Sequence, residues 1–191
     1  MPMIFRGHNE GDPPMDLVAT HQRLLIAAVM RTAGPILELG VGWYSTPLLH
    51  EVGRATGRKV VTIDNNMDWL AQFQGLACDT HDVRLIGWWG DLMPMLKDYG
   101  RFGVVFVDQG QPADREYTVR DLLANDRADV FVMHDTEEGP AYGYNRTLPM
   151  FRHQWTDKCQ KAWATVASNT VDVRRWGLRE LPPVEPTAEV T

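Results

Sequence analysis

Two cysteines in 191 residues, Cys78 and Cys159, lie far apart and match no metal or redox spacing, which fits a reducing cytoplasm. Long hydrophobic runs are missing as well, since no apolar segment approaches the ~20 residues that span a bilayer. The opening Met1-Pro2-Met3-Ile4-Phe5-Arg6 has no apolar stretch of signal-peptide length, so a cytoplasmic protein with no membrane partner is expected. Positive charge is in deficit. The formal net charge is −6 and the isoelectric point is near 5.5, which argues against a nucleic-acid partner, whose phosphates attract Lys and Arg. There is no internal repeat to suggest a solenoid or array.

What is present suits a globular domain. At 21.7 kDa the chain is one domain by length and can bury a substantial core. Its 44% hydrophobic and 23% charged residues are ordinary globular values. The seven tryptophans are many for this length and are assigned mainly to core and strand packing. Short β-branched runs alternate with helix-period segments, the pattern of a parallel sheet covered on both faces. The expected order starts with an irregular segment over 1–15 and a helix over 16–32. Then come strand 35–39, helix 45–56 ended by Gly57, strand 59–64, helix 67–76, strand 82–86 and a short helix. Strand 102–107, helix 112–125, strand 129–133 and helix 148–155 follow. Two further strand-like runs, 161–166 and 171–176, flank the turn composition Ala167-Ser168-Asn169-Thr170 and predict a terminal antiparallel hairpin. The expected fold is therefore α/β, a Rossmann-like doubly wound sheet of seven strands, parallel except for a C-terminal antiparallel β-hairpin. It occupies 16–181, with a disordered tail over 182–191.

The chemistry gathers where strands end. Ile36-Leu37-Glu38-Leu39-Gly40-Val41-Gly42-Trp43-Tyr44-Ser45 reads as a buried strand that ends on an acid, passes two glycines and enters a helix near Ser45. Glycines let backbone N–H groups approach a ligand, and a helix N-terminus favours negative charge. Asp64 closes the next strand 22 residues past Gly42, where it can hydrogen-bond a ribose diol. A nucleoside-containing cofactor is the first expectation. A dinucleotide loop needs a third glycine beside its pyrophosphate, and Ser45 stands at that place. Glu38 would repel a pyrophosphate and suits a ligand that carries an amino group.

The pattern E-x-G-x-G-x-x-S with a strand-end Asp resembles the class I S-adenosylmethionine-dependent methyltransferases. The resemblance implies that Glu38 faces the amino end of the cofactor's methionine part, that Gly40 and Gly42 pass beneath it ahead of Ser45, and that Asp64 takes the ribose hydroxyls. It also implies that Gly90 and Asp91 meet adenine, while Asp91 equally suits the N-cap of the helix that follows.

Asp108 ends strand 102–107, and His134-Asp135 end the next. Neighbouring parallel strands lie ~4.8 Å apart, so these side chains can converge. Two chemistries fit. Asp108 and Asp135 could hold Mg²⁺ or another divalent cation that orients a substrate hydroxyl and lowers its pKa. Alternatively, His134 could take the hydroxyl proton as general base, near its ordinary pKa of ~6.5. Val107-Asp108, Asp114-Arg115-Glu116-Tyr117 and Met133-His134-Asp135 are similar to small-molecule O-methyltransferases, including the metal-dependent catechol-type group. Those enzymes present an acid after strand four and Asp-Asn after strand five, where this chain has His-Asp. The candidate catalytic residues are thus His134, Asp108 and Asp135, with Asp108 also at the cofactor. Trp43 and Tyr44 are expected over the cofactor, and Tyr142 and Tyr144 beside the acceptor.

The expected function is S-adenosylmethionine-dependent methyl transfer to a hydroxyl, or less readily an amine, of a small-molecule acceptor, in a protein free to oligomerise. A methyltransferase-like cofactor-binding or scaffold protein without catalysis, and an NAD-type oxidoreductase, are the alternatives.

Overall fold

A computed structural model of the chain describes residues 19–158 and 162–179. Three largely apolar segments form strands buried from end to end: β1 (Ile36–Leu39), β2 (Val60–Asp64) and β4 (Phe102–Val107). Burial on both faces is the mark of a parallel sheet covered by helices. Because side chains alternate, Leu37, Leu39, Val61, Val105, Val107 and Met133 pack on one face. Ile36, Val60, Val104, Phe106, Val130 and Val132 pack on the other. The second face is covered by α1 (Gln22–Arg31) and α2 (Thr46–Thr56). On the first lie α4 (Leu92–Met95), α5 (Pro112–Ala124) and α6 (Tyr144–Thr147).

Adding β3 (His81–Leu85), β5 (Ala128–His134), β6 (His153–Asp157) and β7 (Ala164–Ser168) gives seven strands in the order β3-β2-β1-β4-β5-β7-β6. The first five are parallel, while β7 runs antiparallel to both β5 and β6. Leu39 is level with Ile63 and Val107, and Val107 with Met133. The next residue of each strand therefore emerges in one row: Gly40, Asp64, Asp108 and His134. No helix among the described residues is long and apolar enough to cross a membrane.

The expected fold class holds, while several elements sit elsewhere. No helix forms over 148–155. A 3-10 turn, Leu148–Met150, takes up Pro149, and β6 begins at His153. The terminal hairpin is β6 with β7, and the run 171–176 carries the 3-10 turn Val173–Trp176, where Asp172 accepts from the Arg174 N–H. Edge-strand pairing explains the difference. β6 gains a ladder on β7, a Thr156–Thr165 hydroxyl contact at 2.9 Å and a salt bridge from Asp157 to Arg23 at 3.2 Å, none of which helical propensity could signal. The helix expected over 67–76 divides into α3 (Met67–Leu70) and a 3-10 segment, Ala71–Leu76. The leading helix starts at Gln22; its expected start at Asp16, the 1–15 segment, Cys159 and the 182–191 tail lie outside the described residues.

Candidate active site

The sheet changes direction of growth at β1, which has β2 on one side and β4 on the other. In open α/β sheets this switch point is where ligands bind. A cleft of about 530 Å³ opens there, lined by Val41 after β1, Asp64 and Asn66 after β2, Trp69 on α3, and Asp108 and Gln111 after β4. That volume is within the ~300–1,000 Å³ usual for small-molecule sites. The loop is fixed by close contact. Gly40 has φ +94°, and a Cβ there would lie 2.4 Å from the Asp108 carbonyl oxygen, so only glycine fits. Trp69 Nε1 donates to the Val41 carbonyl at 2.8 Å, and Trp43 leans on Phe73 with ring centroids 4.8 Å apart. Asp64 accepts the Val41 N–H at 2.9 Å and the Asn66 N–H at 2.7 Å, which fixes its carboxylate at the cleft wall.

Other expected cofactor residues lie behind or beside this opening. Glu38 is fully buried, and burial pushes its carboxyl up to about 7, with the Ser45, Thr62 and Thr46 hydroxyls offsetting only part. Thr62 donates to Glu38 Oε2 at 2.7 Å and meets His81 Nε2 at 2.8 Å, and His81 Nδ1 meets His50 Nδ1 at 3.2 Å. A hydroxyl has one proton, so Thr62 accepts from His81 Nε2–H, and the neutral His81 accepts from His50. Buried beside His50, His81 has its pKa lowered to about 4. Gly42 donates to Thr46 Oγ1 at 2.9 Å, and Ser45 is buried at the start of α2. Gly90 and Asp91 lie in the 3-10 turn Trp89–Asp91 outside the cleft lining; Asp91 stands at the N-cap position of α4, as the alternative had it, but its exposed side chain makes no capping bond.

On the far side of Asp108 stands a buried ion cluster. The Arg115 side chain is 4% exposed and bridges Asp108 Oδ1 at 2.9 Å and Asp135 Oδ2 at 3.0 Å. It also donates to the carbonyls of Gln109 at 2.6 Å and His134 at 3.0 Å, under the Tyr142 ring at 4.1 Å. Asp135 adopts φ 56°, the left-handed region that Asp tolerates better than most, and its carboxylate reaches Arg115 there. His134 Nδ1 contacts Asp108 Oδ1 at 3.3 Å, and its Nε2 contacts Thr20 Oγ1 at 3.0 Å. Burial alone would lower the His134 pKa, but the bond to Asp108 and the charges of Asp108 and Asp135 raise it. Burial alone would raise the Asp108 pKa, and the His134 bond with the His134 and Arg115 charges lowers it. Tyr144 is fully buried in the core, and Tyr142 is stacked on Arg115.

No protein-family model and no curated protein matches the sequence. Solved structures do match. The O-methyltransferase TomG from Streptomyces achromogenes, involved in tomaymycin synthesis and solved with S-adenosylmethionine, is 20% identical with TM-score 0.57, over 84% of this chain and 92% of its own. This chain has the class I methyltransferase fold. An O-methyltransferase from Bacillus cereus, in complex with S-adenosylhomocysteine, is 16% identical with TM-score 0.59, over 85% of this chain and 84% of that one. An rRNA methylase from Streptococcus thermophilus is 12% identical with TM-score 0.56, over 80% of this chain and 97% of that one.

Within the methyltransferase fold, the cleft suits a nucleoside cofactor: it lies at the switch point, and Asp64 is held rigid on its wall. The expected divalent-cation pair does not fit. Asp108 and Asp135 are already joined by the Arg115 guanidinium, whose fixed charge stands between them. Asp108, His134 and Asp135 lie together in one cluster, as their adjacent strand ends suggested, while Asp64 lines the cleft across β1; sequence reading gave no role to Arg115, Thr20 or His21. Two acids expected near each other below the surface require a buried cation, and that requirement was a usable signal for Arg115. Nothing in the sequence marks a lone histidine at a helix start.

Proposed function

We propose that this protein binds S-adenosylmethionine in the cleft and transfers its methyl group to an oxygen, in preference to a nitrogen, of a small molecule. The sign of the cleft carries the reading. Asp64, Asp68 and Asp108 line it, with no Lys or Arg in the lining among the described residues. A dinucleotide would press its pyrophosphate against carboxylates with no counter-charge, whereas a sulfonium and an ammonium group are attracted. When bound, the cofactor supplies an electrophilic methyl group. Asp64 would accept the ribose hydroxyls while its backbone bonds hold it still, and the Gly40–Gly42 loop would pass beneath the methionine part. Gly90 and Asp91 would edge the adenine. Glu38, buried behind the loop, would act through the field at the start of α2.

Asp108 would face the cationic end of the cofactor, with His134 and Asp135 on its acceptor side. His134 would stand on the acceptor side as the general base, its ring oriented by Thr20 at Nε2 and by Asp108 at Nδ1. Arg115 positions both carboxylates. The main contribution is to hold acceptor and methyl group in line. An RNA acceptor, which the rRNA methylase with this fold brings to mind, is disfavoured by the net charge of −6. We place the protein in the cytoplasm.

Calorimetry with S-adenosylhomocysteine, and NADH in parallel, tests the cofactor class. Micromolar binding of the first and none of the second is expected. NADH binding alone would overturn the reading, and binding of neither would favour a non-catalytic relative.

A further inference from the structure

His21, at the N-terminal edge of α1, is 2% exposed, and neither ring nitrogen has a hydrogen-bond partner among the described residues. A buried polar group left unpaired is costly, so the position calls for a ligand. The ring stands edge-on to His134 with centroids 4.7 Å apart, and one donor atom each of His21, Asp108 and His134 lie within 4.8 Å of one another. The proton arrangement around His134 points the same way. Thr20 donates its single hydroxyl proton to the Ala162 carbonyl, so it must accept from His134 Nε2–H. In the neutral ring the lone pair is then on Nδ1, which faces Asp108 Oδ1 at 3.3 Å. Two acceptors at that distance repel unless a cation lies between them. A proton would satisfy this pair and leave His21 without a partner. A metal ion satisfies all three groups.

We propose that His21, Asp108 and His134 bind a divalent transition metal of the zinc type, with further coordination open towards the acceptor. Two imidazoles and one carboxylate favour Zn²⁺ over Mg²⁺, which prefers an all-oxygen shell. The Arg115 and His134 contacts to Asp108 both fall on Oδ1, and Oδ2 accepts no hydrogen bond among the described residues. Thr20 is the outer partner that fixes the His134 ring, as metal-bound histidines usually require. This site differs from the Asp108–Asp135 pair, which Arg115 keeps closed. Binding of an acceptor hydroxyl at the open position, with its pKa lowered, is the one role that rests on the methyltransferase reading.

The test uses the full chain stripped with EDTA and dialysed. Co²⁺ is titrated with the visible d–d absorption as readout, and Zn²⁺ by calorimetry. One equivalent of each should bind, with Mg²⁺ in excess unable to displace it. Thr20→Ala should weaken Zn²⁺ by roughly 10–100-fold, His21→Ala by more, and His153→Ala not at all. Circular dichroism checks folding, and His134→Gln gives a second ligand deletion should His21→Ala unfold the chain. Absence of stoichiometric Co²⁺ and Zn²⁺ binding, or undiminished binding in a folded ligand variant, would overturn the site. S-adenosylhomocysteine calorimetry on the same samples separates the failures: cofactor without metal sinks only this inference, and metal without cofactor sinks only the proposed function.

Discussion

Arg115→Met removes the charge and all the donors of Arg115 while keeping much of its apolar stem. In the folded protein the guanidinium holds two carboxylates and two carbonyls while only 4% exposed. The variant leaves Asp108 and Asp135 beside each other without the guanidinium that bridges them. Breaking a buried pair by removing one partner costs about 3–5 kcal/mol. The lower end of that range is expected, because Asp108 and Asp135 keep 24% and 23% of their side-chain surface in reach of water. At about 2–4 °C per kcal/mol for a chain of this size, a loss of about 3 kcal/mol should lower Tm by about 6–12 °C. Urea unfolding at pH 7, followed by tryptophan fluorescence, measures the free energy directly. Asp135→Asn in the Arg115→Met background should be less costly than in the wild type, because it removes one of the two stranded charges. The coupling should be about 0.5–3 kcal/mol. A loss below about 1 kcal/mol, or strict additivity of the two substitutions, would refute the bridge and reopen the Asp108–Asp135 pair to a cation.

Asp64→Ala should weaken S-adenosylhomocysteine by roughly 1.5–3 kcal/mol in calorimetry, the worth of hydrogen bonds to a charged group; unchanged affinity in a folded variant would remove Asp64 from the ribose. Gly40→Ala, forced to φ +94° with its Cβ 2.4 Å from the Asp108 carbonyl oxygen, should lose about 2–5 kcal/mol in urea unfolding through strain and overpacking. Glu38 should make stability fall with rising pH. Its carboxyl titrates near 4.5 when unfolded and at about 7 when folded, so its contribution is complete below the first value and lost as pH rises through the second. The loss is about 3 kcal/mol. His81, with its pKa lowered to about 4, acts oppositely: its contribution is complete above 6.5 and lost as pH falls towards 4. Unfolding measured from pH 5 to 8 on wild type and Glu38→Gln separates them, and an unchanged pH slope in the variant would show that Glu38 is not the group responsible.

Local sequence determined the strands and the row at their ends. The largely apolar segments of β1, β2 and β4 are of the kind buried on both faces in a parallel sheet, and they form its buried strands. β2 and β5 each end on a polar residue and β4 is followed at once by one, so Asp64, Asp108 and His134 could be placed at one end of the sheet before any register was known. Gly57 also marked the end of α2, where it takes the left-handed conformation. Tertiary structure decided what depends on partners distant in sequence. The run 171–176 has strand composition, yet β7 pairs with 153–157, because pairing energy belongs to two strands jointly and propensity to one. Glu38 looked like a ligand contact and is a buried acid tied to Thr62, since β2 packs alongside it. Asp108 and Asp135 looked like a metal pair and are closed by Arg115, whose helix folds back over β4 and β5. His21 acquires its meaning only where α1 crosses the sheet and brings it against Phe106 and His134. Burial, charge neutralisation and hydrogen-bond satisfaction are properties of a place in the folded chain, and that place is set by contacts far apart in sequence.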